Sequence, residues 1–569
     1  MAVEVFMPKA GMDMKEGKII KWLVNVGDEV KEGDGVLEIE TDKVTMEVEA
    51  PADGTLLCKY FEDGTTVPVV TIIGYIGEKG EKVPDGPATA GAEETKAPES
   101  TSEATKKPEK NDNSYDVAVI GGGPAGYVAA IRAAQLGGKV VIFEKDVVGG
   151  TCLNRGCIPT KTYIKTAETI HGIKEAHLRG VHVDTNSLSV NMEEIYNYKN
   201  TVVKKLTSGV GALLKSNGVE IVNGTATIAD KNTVECNGKK YTSQNIILCG
   251  GSVAGRIPLE GIEGKKVLDS TDILELKEIP AKLGVIGGGV IGCEIATAFN
   301  AFGSEVTIVE LADNLVSMFD KEVSTSIEKS MKKAGVKVLT GKNIKKIENS
   351  DEKPCIVLES GEKFEFDNVL LSIGRKADIE CVGSLKDTLK LERGKIVVDE
   401  YCKTNIDNIY ACGDITTKST LAHSAFKMGE VAANNAMGHT EKCNLNNVPG
   451  CLYTMPEAAS VGLTEEAAKK DHDIAVGKFP FGANGRALSS GESEGFVKVI
   501  IDKKYGEILG VHIVGAVATE MIMEAKAAMD AELTVYEISE MIHPHPTYTE
   551  AFVEACTDAL GRCIHLPKK

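Results

Sequence analysis

The sequence predicts an α/β protein with two Rossmann-like dinucleotide-binding domains, preceded by a separate all-β module. Three observations support this fold class: an internal repeat built around a glycine loop, a cysteine pair directly after the first copy, and a break in composition that isolates the first residues. At 569 residues the chain is long enough for three or four domains, each with its own core.

The internal repeat runs from Val119 to Glu144 and again from Val285 to Glu310, at a constant offset of 166 residues. Each copy reads as a strand, a GxGxxG turn, a helix, a second strand and a terminal glutamate. One such motif is weak support for a nucleotide site, but two copies in phase predict two dinucleotides. The loop glycines are Gly121, Gly123 and Gly126 in the first copy and Gly287, Gly289 and Gly292 in the second.

The glutamates that end the repeats predict which cofactors bind. Glu144 and Glu310 are placed to accept hydrogen bonds from ribose hydroxyls. Glu310 would repel a 2′-phosphate, and no arginine follows it in the segment Leu311–Asn314. We therefore expect the second site to favour NAD over NADP.

The cysteine pair, Cys152 and Cys157, follows the first repeat in the stretch GGTCLNRGCIPTK. A dinucleotide site beside two cysteines indicates electron transfer between a cofactor and a disulfide. Residues five apart on a regular helix diverge by about 140°, so a disulfide here requires a distorted backbone, which Gly156 permits. Pro159 favours a first helical turn, and we predict a helix from Thr160 to about Ala176. A position near that helix N-terminus would lower the pKa of the Cys157 thiol.

Two later motifs supply further candidate residues. Asp414 follows a short apolar strand and a glycine in NIYACGDI, where it could contact a cofactor sugar, although an ordinary strand-end aspartate fits equally well. His545 lies in HPHPTYTE, bracketed by prolines, with Glu550 five residues on. This pattern is compatible with a catalytic base and its orienting acid.

Composition and charge bound the possible functions. The net charge of −19 argues against nucleic acid as a partner. No apolar run is long enough to span a membrane, and no signal or transit segment is recognisable. The 14 cysteines are scattered singly apart from the pair at 152 and 157, which is typical of a reducing cytosol. We expect a cytoplasmic protein with no membrane partner and no metal site.

Residues 78–113 lack aromatic side chains and are rich in Pro, Ala, Gly, Ser, Thr and charges. This composition predicts a flexible linker. It separates a module at residues 1–77 from the catalytic body. Within the module, Lys43 falls between two strand-like runs, as a lysine on an exposed hairpin turn would.

From about Tyr115 to the end, the chain resembles the dihydrolipoamide dehydrogenases of the pyridine nucleotide–disulfide oxidoreductase family. The resemblance rests on GGTCLNRGCIPTK, both glycine loops, NIYACGDI, YTMPEAASVG and HPHPTYTE. It implies an FAD-binding domain at residues 114–258 and 383–448, split by an NAD-binding domain at 259–382. An α+β dimerisation domain at 449–569 would make the protein a homodimer.

The resemblance also implies a role for individual residues. Cys152 would be the interchange thiol attacked by dihydrolipoamide and Cys157 the thiol in contact with the flavin. His545, supplied across the dimer interface, would be the base oriented by Glu550. Tyr548 and Thr549 depart from the family's usual Leu and Ser. Residues implied in cofactor binding are Lys161 with its partner Glu294 near the flavin, Gly224, Gly251, Asp414 and Ala422 for FAD, and Gly374 and Ile344 for NAD.

Residues 1–77 resemble a lipoyl domain, with covalent lipoate expected on Lys43. A biotin carrier usually has methionine on both sides of the lysine, whereas Asp42 and Val44 stand here. The implied function is to reoxidise dihydrolipoyl groups and reduce NAD⁺, with the acyltransferase and dehydrogenase components of a multienzyme complex as partners. The alternatives are a related disulfide or mercuric reductase, or a lipoyl carrier or scaffold subunit.

Overall fold

A computed structural model describes residues 2–8, 16–31, 33–40, 45–69, 71–81, 83 and 113–568. The chain separates into two compact units, Met1–Pro108 and Glu109–Lys569. Lys43 and most of the predicted linker lie outside the described residues.

The first unit is all-β, as predicted. Its described strands form two four-stranded antiparallel sheets. One core of aliphatic side chains, including Ile19, Leu37, Leu56 and Ile76, lies between them. In sheet order the strands are Val3–Phe6, Ile72–Gly77, Gly54–Lys59 and Glu29–Val30, then Thr45–Glu49, Gly35–Glu40, Glu16–Trp22 and Thr66–Pro68.

The second unit begins with a sheet that contains the first repeat. The parallel strands Ser114–Ile120 and Val140–Glu144 flank the glycine loop, and the helix Pro124–Gln135 connects them. The distant strand Ile409–Ala411 joins the same sheet beside Lys239–Leu248. The other strands of this sheet are Glu220–Asn223, Ala226–Asp230 and Thr233–Cys236.

A second parallel sheet contains the other repeat. Its strand order is Val267–Leu268, Asn368–Leu371, Lys282–Ile286, Glu305–Val309 and Lys337–Leu339. An antiparallel sheet of Ile344–Glu348, Cys355–Leu358 and Lys363–Glu365 follows in the chain. The helices around these sheets are Gly150–Arg155, Cys157–Glu175, Met192–Ser216, Val290–Phe302, Lys321–Lys333 and Ala422–Ala436.

The C-terminal part is α+β, as predicted. Its antiparallel sheet runs in the order Gly450–Leu452, Glu457–Gly462, Ile508–Gly515, Phe496–Asp502 and Ile474–Pro480. Its helices are Glu465–Asp471, Gly485–Ser490, Ala518–Asp530, Val535–Glu540 and Glu550–Ala559.

Short elements complete the second unit. Two antiparallel ribbons pair Ser252–Ala254 with Arg375–Ala377 and Leu391–Glu392 with Lys395–Ile396. The 3₁₀ helices are Ala176–Arg179, Thr185–Ser187, Asp272–Glu275, Glu380–Leu385, Gly413–Ile415 and Phe481–Ala483. Across the described part of the chain, none of the helices combines the length and the apolar character needed to cross a membrane.

A buried charge cluster joins the C-terminal sheet to the start of the helix Lys321–Lys333. The side chain of Lys498 is 1% exposed, and its Nζ lies 2.9 Å from Asp320 Oδ1, 2.9 Å from Glu322 Oε1 and 2.6 Å from Glu465 Oε2. A buried ammonium requires such partners because its desolvation is costly.

Candidate functional site

The first glycine loop forms a backbone cradle that only glycine fits. Gly121 has φ of +103°, and a Cβ on it would lie 2.2 Å from the carbonyl oxygen of Cys249. A Cβ on Gly126 would lie 1.7 Å from the carbonyl oxygen of Gly121. Gly123 caps the helix Pro124–Gln135 without a side-chain hydrogen bond. The amides of the first helical turn are thus presented where a pyrophosphate could accept from them.

The second glycine loop repeats this geometry. Gly287 has φ of +102°, and a Cβ on Gly292 would lie 2.1 Å from the carbonyl oxygen of Gly287. Gly289 caps the helix Val290–Phe302, again without a side-chain hydrogen bond. The two loops therefore offer equivalent anion sites, which fits one FAD and one NAD.

The glutamates that end the repeats also hold these loops in shape. Glu144 accepts from the Gly122 amide at 2.7 Å and from the Asp146 amide at 2.8 Å. Glu310 accepts in the same way from the amides of Gly288 and Ala312. Each carboxylate oxygen can accept a further hydrogen bond, so contact with a ribose is compatible with this structural role.

The cysteine pair lies at a break between two helices. Cys152 is in the helix Gly150–Arg155, and Cys157 is the first residue of Cys157–Glu175, so this helix begins before the predicted Thr160. Gly156, with φ of −146° and ψ of −108°, interrupts the helical path between the two cysteines.

The two cysteines are free thiols, and they are hydrogen-bonded to each other. The hydrogen bond from Cys152 lowers the pKa of Cys157 to about 7; burial opposes this shift and the charge of Lys161 assists it. The same hydrogen bond, together with burial, raises the pKa of Cys152. Cys157 is thus the thiol that is more readily ionised.

A cation–carboxylate pair lies one helical turn beyond Cys157. Lys161 Nζ donates to Glu294 Oε1 at 2.9 Å and to Oε2 at 2.8 Å. It also lies 4.4 Å from the centroid of the Tyr453 ring, and the Tyr453 amide donates to Glu294 Oε1 at 3.0 Å. The Glu294 side chain is only 3% exposed. Since Lys161 is itself part of the field that lowers the Cys157 pKa, the pair can adjust thiol ionisation.

Asp414 belongs to a polar network that the sequence analysis missed. Ser252 Oγ donates to Asp414 Oδ2 at 2.5 Å, and Arg375 Nε donates to Ser252 Oγ at 2.7 Å. Arg375 also donates to Thr151 Oγ1 at 3.4 Å, directly before Cys152. One sequence feature could have identified Arg375 as a candidate site residue. It follows the buried strand Asn368–Leu371 and Gly374, and therefore lies at the carboxyl edge of the second sheet.

The remaining predicted cofactor residues lie at element ends. Gly224 has φ of +152°, and its amide donates to the Glu144 carbonyl at 2.8 Å. Ala422 begins the helix Ala422–Ala436, and Ile344 begins the strand Ile344–Glu348. Gly251 and Gly374 have φ of +73° and +105°.

His545 and Glu550 are paired. His545 Nδ1 lies 2.8 Å from Glu550 Oε1, and the Thr547 amide donates to Glu550 Oε2 at 2.8 Å. Burial acts to raise the pKa of Glu550, but the Thr547 amide and His545 outweigh it, and the pKa is lowered. The His545 side chain is 76% exposed, with Nε2 opposite the oriented nitrogen.

The structure brings some of these residues together and leaves others apart. Cys152, Cys157, Lys161 and Glu294 form one continuous site. In the described ranges, no hydrogen bond or ion pair joins His545 to either cysteine of the same chain. Within the described part of the chain there is also no group of three or more His, Cys, Asp or Glu side chains that could hold a metal ion.

Three family models match the chain. The model described as pyridine nucleotide-disulphide oxidoreductase matches residues 115–429, and that family's dimerisation domain matches residues 448–556. The Biotin_lipoyl model, described as biotin-requiring enzyme, matches residues 3–76.

Curated relatives and solved structures agree with these matches. A dihydrolipoyl dehydrogenase of Bacillus subtilis is 40% identical over 471 residues, covering 79% of this chain and 99% of the relative. A dihydrolipoyl dehydrogenase of Geobacillus stearothermophilus is 41% identical over 460 residues, covering 79% and 97%. The HOCl-induced flavoprotein disulfide reductase RclA from Escherichia coli superposes with a TM-score of 0.71 at 28% identity, covering 78% of this chain and 99% of that one.

Proposed function

The chain belongs to the pyridine nucleotide–disulphide oxidoreductase family, and from this premise we propose that it is an NAD-dependent dihydrolipoyl dehydrogenase. It would reoxidise dihydrolipoyl groups through a Cys152–Cys157 disulfide. The observation that carries the proposal is the Cys157 thiol, with its pKa lowered to about 7, at a helix N-terminus beside Lys161 and Glu294.

The dithiol step is an exchange of disulfide bonds. A dihydrolipoyl thiolate attacks Cys152, a mixed disulfide forms, and Cys157 leaves as a thiolate. The second dihydrolipoyl sulfur then attacks the mixed disulfide, so lipoate leaves oxidised and the cysteine pair is reduced by two electrons. The low pKa of Cys157 makes it the better leaving group.

Both nucleotide cofactors have a fitting cradle. Bound FAD would accept the electron pair from the cysteines and supply it as a hydride to NAD⁺. The Gly121–Gly126 loop would hold the FAD pyrophosphate, with Glu144, Gly224, Gly251, Asp414 and Ala422 around the cofactor. The Gly287–Gly292 loop, Glu310, Ile344 and Gly374 would hold NAD. Ser252 and Arg375 would orient the Asp414 carboxylate.

His545 would act as the general base of the dithiol step. Its Nδ1 is held by Glu550, so the exposed Nε2 can take the proton of a dihydrolipoyl thiol. The family resemblance implies that His545 acts on the cysteine pair of the other subunit, and the match of residues 448–556 to the dimerisation domain supports this proposal. The protein would act as a homodimer.

The N-terminal module would carry lipoate on Lys43 and bring it to the active site. Residues 78–113 would act as the tether, which makes substrate delivery intramolecular. A chain of this length has a root-mean-square span of roughly 30–36 Å. The same tethered module would serve the acyltransferase and dehydrogenase components of a 2-oxo acid or acetoin dehydrogenase complex in the cytoplasm.

The rival activities have less support. Glutathione reduction calls for a basic pocket in place of Glu310. Mercuric reduction calls for a closely spaced cysteine pair at the C-terminus, but Cys556 is fully buried and the Cys563 thiol donates to Glu554 at 2.9 Å.

The test of function is turnover of dihydrolipoamide with NAD⁺ by the full-length flavoprotein. We expect NADH formation in the wild type and its loss in Cys152→Ser and in Cys157→Ser. Cys563→Ser is the matched control and should retain the rate. Equal turnover in all four proteins would contradict the assigned disulfide.

A separate test concerns Lys43. The intact mass of the protein from its native host should show a lipoyl adduct that Lys43→Arg lacks. After NADH addition, thiol labelling of that adduct at a rate independent of protein dilution would support transfer within one dimer. A rate proportional to protein concentration would indicate transfer between separate dimers. The tethered lipoyl module would then serve only the partner enzymes.

A further inference from the structure

A second group of thiols lies in the core around the first sheet, and the proposed function makes no use of it. Cys402, Cys412 and Cys249 are buried there, and half-buried Cys443 packs against the same cluster. The Cys402 sulfur lies within reach of the thiols of both Cys412 and Cys443, and the Cys412 thiol donates to the Met428 carbonyl at 3.2 Å. This arrangement places two possible disulfide partners beside one sulfur.

Hydrogen bonds to backbone carbonyls bring Cys402 and Cys443 together from distant parts of the chain. The Cys443 amide donates to the Glu400 carbonyl at 2.6 Å. The Asn435 side chain donates to the Tyr401 carbonyl at 3.1 Å and to the Glu441 carbonyl at 2.8 Å. The segments just before the two cysteines are therefore held side by side.

Both cysteines line one cavity of about 180 Å³. A water molecule occupies about 30 Å³ in the liquid, so the cavity has room for a small hydroperoxide. Lys418 contributes a cation to the lining, Asp399 and Glu400 contribute carboxylates, and Met428 contributes an apolar surface. Cys402, although 1% exposed, thus borders a space that a small oxidant could enter.

The two thiols differ in how readily they ionise. The neighbouring thiols of Cys412 and Cys443 lower the pKa of Cys402 to about 5; burial and the charge of Asp399 oppose this shift, and the charge of Lys418 assists it. The neighbouring Cys402 thiol and burial raise the pKa of Cys443. At neutral pH a Cys402 thiolate would face a protonated Cys443, the combination that oxidant-sensitive pairs use.

We propose that Cys402 and Cys443 form a second redox site, a dithiol that small hydroperoxides oxidise to a disulfide. The Cys402 thiolate attacks the peroxide, the O–O bond breaks, and the leaving oxygen takes a proton and departs as an alcohol or water. Cys402 becomes a sulfenic acid. The Cys443 sulfur then attacks the Cys402 sulfur, the S–O bond breaks, and water leaves with the Cys443 proton. The dithiol loses two electrons and the peroxide gains them.

The test treats the reduced full-length protein with hydrogen peroxide, blocks remaining thiols and maps the peptides. We expect a cross-linked Cys402–Cys443 peptide. In Cys443→Ser, the Cys402 sulfenic acid should persist and be trapped by dimedone. Cys563→Ser should give the wild-type cross-link. A Cys402–Cys412 cross-link, or no dimedone adduct on Cys402 in Cys443→Ser, would overturn the proposal.

Alkylation with iodoacetamide gives an independent measurement that needs no oxidant. The rate at Cys402 should change less than about twofold from pH 6 to pH 8, whereas an ordinary thiol gains on the order of a hundredfold. Lys418→Met should slow the Cys402 reaction at pH 6, and Lys240→Met, which removes an exposed lysine outside the cavity lining, should not. If the alkylation rate at Cys402 rises from pH 6 to pH 8 as much as that of an ordinary thiol, Cys402 is not a thiolate at neutral pH and the proposal is contradicted.

Discussion

Lys161 donates to both carboxylate oxygens of Glu294, at 2.9 and 2.8 Å, and so joins the helix of the cysteine pair to the helix of the second glycine loop. The two charges act on Cys157 in opposite directions: Lys161 lowers the pKa of the thiol and Glu294 raises it. The pair therefore sets thiol ionisation as well as connecting two parts of the fold.

The first prediction tests this balance. Glu294→Gln keeps an oxygen for the Tyr453 amide but removes the negative charge, so the pKa of Cys157 should fall below about 7. We expect roughly two- to fivefold faster alkylation of Cys157 at pH 6, because a pKa lower by about one unit raises the thiolate fraction about fivefold and makes the thiolate somewhat less nucleophilic. Lys161→Met should have the opposite effect. Mass spectrometry of the labelled peptide separates Cys157 from Cys152, and equal rates in both variants would refute the balance.

The second prediction concerns the first cradle. A Cβ at Gly126 would collide with the Gly121 carbonyl, so Gly126→Ala should yield protein that no longer retains FAD, measured by flavin absorbance after gel filtration. Gly172→Ala is the matched control because no atom lies within 4 Å of its added Cβ. It should keep full flavin and gain about 0.5–1 kcal/mol of stability in its helix. Normal flavin content in Gly126→Ala would contradict the assignment.

The third prediction concerns nucleotide choice. Glu310→Ala removes the charge that would repel a 2′-phosphate, so the ratio of kcat/KM for NAD⁺ over NADP⁺ should fall by about tenfold or more. Activity with NAD⁺ should fall too, because Glu310 also binds the amides of Gly288 and Ala312. Glu144→Ala, its counterpart in the first repeat, should impair flavin retention and leave the NAD⁺/NADP⁺ ratio unchanged.

The fourth prediction separates the two half-reactions. His545→Gln should lower dihydrolipoamide turnover by about 10²–10⁴-fold, because the proton acceptor of the dithiol step is lost. NADH oxidation with an artificial electron acceptor should be retained, since it bypasses that step. His543→Gln, which removes a histidine paired with Glu524 instead, serves as the control. Similar losses in both assays would indicate a structural role for His545.

The fifth prediction concerns the charge cluster around Lys498. Lys498→Met leaves Asp320 buried without its cation and should destabilise the body by about 3–5 kcal/mol, measured by thermal unfolding. Lys503→Met, which breaks only the exposed pair with Asp473, should cost about 1 kcal/mol or less.

The same cluster makes stability depend on pH. Burial works against ionisation of Asp320 and Glu322, yet hydrogen bonds from Lys498 and other donors hold the pKa values of both carboxyls below the usual range. Hydrogen bonds from Lys469 and Lys498 likewise lower the pKa of Glu465. A depressed carboxylate pKa stabilises the fold above the unfolded pKa, near pH 4, and this stability is lost as pH falls through the folded pKa. Wild-type Tm should therefore drop more steeply than that of Lys498→Met below about pH 5.

The sequence by itself determined the features that depend on local chemistry. The glycine spacing predicted both loops because only glycine fits at positions such as Gly126 and Gly292. The stretch around Cys152 and Cys157 predicted a helix start next to the pair, although the helix begins at Cys157 and not at Thr160. Roles assigned to single residues remain predictions that the experiments above address.

Tertiary structure decided what depends on contacts between residues far apart in the chain. No local pattern signals that Arg375 reaches Ser252 and Thr151, that Ile409–Ala411 completes the first sheet, or that Cys443 meets Cys402. Such contacts follow from the packing of whole elements, where burial and long-range hydrogen bonds outweigh local preference. The pKa of a thiol is likewise set by the groups that folding brings around it.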